Sequence, residues 1–174
     1  MKKALSLIAI LAIILTSCEG PQGPMGAPGF DGEALVGETY ETQPINFTEA
    51  NDSFRFNFPS TIINGDAVLV YRLENILTAG DDGFDIWEPL PTATIFFDDG
   101  GFLQYRFNYT LDYVDIILES DDIAFSGPEF NSNQIFRIIV MPSDLVSQFE
   151  GDLSDINQVM GALDIQTSDI HKIQ

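Results

Sequence analysis

The sequence predicts an all-β domain, an antiparallel β-sandwich or meander with one short C-terminal helix. Three observations carry this expectation. Between residues 36 and 142, apolar and polar side chains alternate with period two in short runs. Clusters of Asn, Asp, Gly and Pro punctuate those runs at regular intervals. The period lengthens to that of a helix only near the end, and no long helical segments separate the strand-like runs, which argues against an α/β arrangement.

In chain order, Phe54-Arg55-Phe56-Asn57-Phe58 alternates as a half-buried strand does. Asn64-Gly65 reads as a turn, and Ala67 to Leu73, with Val68, Val70 and Arg72, as the next strand. Thr94 to Phe97 and Phe102 to Tyr109 flank Asp98-Asp99-Gly100-Gly101, a hairpin signal. Val114, Ile116 and Leu118 point one way, Asp115 and Glu119 the other. Ile135 to Val140 forms a last strand, ended by Pro142. Ser154 or Asp155 then caps a helix whose stripe of Ile156, Val159, Met160 and Leu163 is expected to pack against the sheet.

A chain of 174 residues suits one domain with a core of its own. Its 7 basic residues face 27 acidic ones, a net charge of -20. Such a surface repels nucleic acid and anionic headgroups, so a nucleic-acid partner is not expected and a phosphate-handling enzyme is disfavoured. The single cysteine rules out an internal disulfide.

The sharpest local signal is at the start. Met1-Lys2-Lys3 is a short basic head, Ala4 to Leu15 an apolar run broken only by Ser6, and small residues follow. These are the three parts of a secretory signal, and the run is too short for a stable bilayer-spanning helix. Residues 1–17 are read as the signal peptide, and its loss takes the net charge to -22. Leu15-Thr16-Ser17-Cys18 resembles the lipobox of bacterial lipoproteins. That resemblance implies cleavage before Cys18 and a diacylglycerol on its sulfur, with palmitate-type acyl chains giving stable membrane anchoring.

Residues 18–35 form the lipidated cysteine plus a tether. From Gly20 to Ala34, glycine recurs at every third position with Pro21, Pro24 and Pro28 between, the collagen Gly-X-Y pattern. Five triplets are few for a free-standing triple helix. As an extended polyproline-type spacer they would span roughly 45 Å, and a trimerising stub is the alternative. A lipobox cysteine followed at once by such triplets and then an acidic β-rich domain, residues 36–174, resembles small collagen-like lipoproteins of Bacteroidota, flavobacteria in particular. The resemblance implies an outer-membrane lipoprotein and brings no catalytic residues with it. Glu19 is followed by glycine rather than more acid, so which membrane face the domain occupies stays open.

Catalytic chemistry has little to stand on. His171 is the only histidine, no Cys/His cluster offers zinc ligands, and no phosphate-cradling glycine motif is present. Asp81, Asp82 and Asp85 around Gly83 suit calcium as hard oxygen ligands, though aspartate and glycine are also what turns prefer and an ordinary acidic turn is the favoured reading. Asp98-Asp99 and Asp121-Asp122 read as similar acidic turns. Trp87, before Pro89 and Pro91, is either a sugar-stacking platform or a core residue. The expected function is a non-catalytic cell-envelope lipoprotein with a structural or interaction role. A glycan- or calcium-binding surface module is the alternative.

Overall fold

The computed structural model describes residues 37–75 and 85–174. The leader, Cys18, the Gly-X-Y segment, Asp81 and Asp82 therefore lie outside the described residues. Nine strands form two sheets, neither closed into a barrel. The first holds β1 (Glu38–Thr42), β3 (Ala67–Asn75), β4 (Ile86–Pro89), β8 (Phe136–Met141) and β9 (His171–Ile173), in the order β4-β3-β8-β1-β9. The second holds β2 (Ser53–Asn57), β5 (Ile95–Phe96), β6 (Phe102–Tyr109) and β7 (Tyr113–Ser120), in the order β2-β7-β6-β5.

Alternation set the second sheet. Phe54 pairs with Ile116 and Phe56 with Val114, so one face of β2 and β7 is apolar throughout. Val114, Ile116 and Leu118 are essentially sealed from solvent. They share one core with Leu103 and Tyr105 of β6 and, from the first sheet, with Tyr40, Val70, Phe136 and Ile138. Phe47 stands edge-on to both Tyr105 and Phe136, joining the sheets through aromatic contacts. The Asp98–Gly101 turn closes the expected β5–β6 hairpin, with Phe97 N–H donating to the Gly101 carbonyl at 2.9 Å.

The architecture corrects the sequence expectation in two respects. Among the described residues it is a mixed fold of two sheets with three short helices, α1 (Pro128–Asn131), α2 (Ser143–Gln148) and α3 (Ile156–Ala162), rather than a purely antiparallel sandwich or meander with one helix. Helices of four and six residues complete fewer than two turns, too little for a 3.6-residue period to emerge. Strand β9 pairs parallel with β1, Tyr40 opposite His171 and Thr42 opposite Ile173, against an otherwise antiparallel pattern. Only α3 matches the expected helix. Asp155 caps it, its carboxylate accepting from the Asn157 N–H at 2.9 Å.

The sheets have two ends of different character. Gly37, where the described chain begins, lies beside Glu38 and Val140, with Leu163 of the α3 C-terminus against its backbone. The 58–66 and 110–112 segments lie at this same end, tied by Phe58 N–H to Asp112 and Ile62 N–H to Leu111. The other end carries segments 43–52, 97–101 and 121–135. The Ile45–Gln134 bridge joins the first of these to the last, and Leu118 N–H of β7 donates to the Asp52 carbonyl at 2.8 Å. An eight-residue strand such as β6 separates the two ends by about 25 Å.

Candidate functional site

All five basic residues beyond the leader lie in the described residues, and each meets a carboxylate. The pairs are Arg55–Asp115, Arg72–Glu88, Arg106–Glu119, Arg137–Glu41 and Lys172–Glu41. Two of these arrangements are built into the first sheet. The first crosses its outer face: Arg137 of β8 sits opposite Glu41 of β1, and Lys172 of β9 opposite Glu41 from the other side. Arg137 donates to the Glu41 carboxylate at 2.5 and 3.1 Å, and the Lys172 ammonium donates to its second oxygen. Burial alone would raise the Glu41 carboxyl; the hydrogen bonds from Lys172 and Arg137 outweigh it and hold the carboxyl below its ordinary value.

Trp87 completes this arrangement. Its ring lies 4.1 Å from the Arg137 guanidinium and is half-buried in a second apolar cluster with Tyr71, Ile139, Ile156 and Val159, beneath α3. One face of the indole is thus covered by the arginine. Asp85, the one described residue of the acidic 81–85 loop, is exposed just before β4.

The second arrangement holds α1. Buried Arg72 of β3 donates from Nε to the Gln134 amide oxygen at 2.8 Å and from Nη2 to the Glu129 carbonyl at 3.2 Å. Its guanidinium lies 4.8 Å from the Tyr105 ring centroid. The Tyr105 hydroxyl donates to the Phe130 carbonyl, and burial pushes its phenol up to about 12. Glu88, facing Arg72 at 3.6 Å, is raised by burial, with Glu74 adding to the rise and Arg72 opposing it. These bonds fix Phe130, whose ring stands edge-on to Phe97 at 6.0 Å, and so brace the adjoining turn.

Against that braced wall lies a hollow of about 370 Å³, between the β5–β6 turn and the chain leaving β7. Phe97, Phe102 and Phe125 supply aromatic walls; Asp99, Asp121 and Asp122 supply carboxylates. The two acidic turns read separately in the sequence are therefore brought together here. Gly100 at φ +93 makes the tight turn, a conformation L side chains resist. Asp99 accepts from the Gly101 N–H at 3.1 Å and Asp122 from the Phe125 N–H at 2.9 Å, each through one oxygen. Among the described residues, Asp121 has no hydrogen-bond or ion-pair partner, and no cluster of acidic, His or Cys residues is grouped to hold a metal ion. Phe125 is 66% exposed. Sequence reasoning missed the site because Phe125 shows no periodicity and the two turns are twenty residues apart.

His171 lies beside Tyr40, the rings tilted with centroids 5.6 Å apart, as a strand residue at the sheet edge. Among the described residues, no helix is long and apolar enough to cross a membrane. No protein-family model, curated protein or solved structure matches the chain.

Proposed function

We propose that this chain is a lipid-anchored, non-catalytic cell-envelope protein, attached through Cys18 and carrying an interaction domain whose loop-bearing end is its working surface. The observation that carries this reading is the polarity of the domain. Gly37, the residue nearest the tether, and the 43–52, 97–101 and 121–135 segments lie at opposite ends of the sheets. The chain thus enters the domain at the end away from those segments. The core shared by both sheets supports reading the domain as a β-sandwich to which α3 and β9 are added.

The charge arrangement favours an interaction role over phosphate chemistry. With every described cation engaged by a carboxylate, an anionic ligand meets no free positive group. The outer membrane is the expected address. Cys18→Ser, expressed behind a conventional secretory signal, tests the anchor: the parent protein fractionates with membranes and the variant is released in soluble, folded form. A variant that still pelleted after a high-salt wash would overturn attachment through the lipid.

A further inference from the structure

We propose that the hollow between the β5–β6 turn and the exit of β7 binds an alkylammonium group. The choice of this end rests on the reading of the loop-bearing end as the working surface; the chemistry rests on the lining. Three phenyl rings and three carboxylates line it, and the nearest arginine of the four-stranded sheet, Arg106, is already engaged by Glu119 at 2.6 Å. A ligand suited to this lining carries positive charge for the carboxylates and carbon for the rings.

The lining also discriminates among cations. Asp99, Asp121 and Asp122 are not grouped tightly enough to ligate one metal ion, whereas an ammonium needs no fixed coordination shell: a primary one has three N–H donors and a quaternary one a charge spread over its methyl groups, and either tolerates carboxylates at several points. Aromatic faces attract such a cation through the ring quadrupole and meet its alkyl part by ordinary apolar contact. A hollow of about 370 Å³ falls within the size range of small-ligand sites. Phe125, 66% exposed, has no packing role that explains a large apolar ring beside two aspartates. Phe97 is held from behind by Phe130, so one wall is already in place before a ligand arrives.

The test titrates the full chain, purified in detergent, with cadaverine, a primary diammonium, and with choline, a quaternary ammonium. Titration calorimetry and melting temperature are the readouts. Saturable binding of either probe is expected, weakened about five- to tenfold in each of Phe125→Ala and Asp121→Asn. Both residues are exposed, so the variants should melt with the parent when no probe is present. Tighter cadaverine binding assigns the site to primary ammonium groups such as lysine side chains or polyamines; tighter choline binding assigns it to quaternary ones. Absence of saturable heat with both probes, or binding that neither substitution weakens, overturns the proposal. Fractionation of Cys18→Ser is independent of this titration, so failure of the ligand and failure of the anchor are told apart.

Discussion

The two sheets use the same residue types on their outer faces to opposite ends. On the five-stranded sheet, α3 packs over the outer face onto Tyr71, Ile139 and Trp87, and the Glu41–Arg137 pair on that face is nearly buried, Arg137 lying against the Trp87 ring. On the four-stranded sheet no helix among the described residues covers the outer face, where Arg55 meets Asp115 and Arg106 meets Glu119, each at 2.6 Å and exposed to solvent. A nearly buried ion pair commits the fold, because losing one partner leaves the other with little solvent to replace it. An ion pair in water is screened and nearly free to change. The five-stranded sheet is therefore the scaffold, and the four-stranded sheet, which also supplies the strands around the hollow, has freedom to serve a ligand.

The largest expected effect comes from matched isoleucines on the two outer faces. Ile139 of β8 is fully buried beneath α3, and Ile139→Ala should cost about 4 kcal/mol in chemical denaturation. Ile117 of β7 is only partly buried, and Ile117→Ala should cost about 1 kcal/mol. Equal losses would erase the distinction between the faces.

Next comes the buried carboxylate. Glu41→Gln leaves Arg137 without its counter-charge in a site where both side chains are about nine-tenths buried, and should cost about 3 kcal/mol. The same group sets an acid limit. Its folded carboxyl lies below its ordinary value. Its contribution is therefore complete above the unfolded carboxylate value of about 4.3 and is lost as pH falls through the lower folded one. Glu88, raised by burial, acts with the opposite sign and gives back some stability on acidification. Between about pH 5 and pH 3, the melting temperature of the parent should fall more steeply than that of Glu41→Gln. Parallel profiles would remove Glu41 from the account. The smallest effect belongs to the exposed pair: Glu119→Gln should change stability by less than about 1 kcal/mol, and a loss as large as that at Glu41 would contradict the comparison.

The same contrast explains what could be read from the residues. Strands β2, β6 and β7 were legible because one of their faces is wet, which writes a period of two into Phe54 to Phe58 and Val114 to Leu118. Strand β1 was not. Its Thr39, Glu41 and Thr42 are polar yet buried, under α3 or against β8 and β9, so burial leaves no apolar signature. Trp87 admitted two readings because its partner, Arg137, is fifty residues away and meets it only through the sheet. The hollow was half legible. Both acidic turns were visible, but their approach depends on β6 pairing with β7, Leu103 opposite Ser120.

Attachment through Cys18 is tested most directly by the mass of the full chain extracted from membranes. The predicted result is a mature protein whose first residue is Cys18, with the sulfur bearing a diacylglyceryl group and with residues 1–17 absent. A chain that retains Met1, or that begins elsewhere with an unmodified Cys18 thiol, would contradict it.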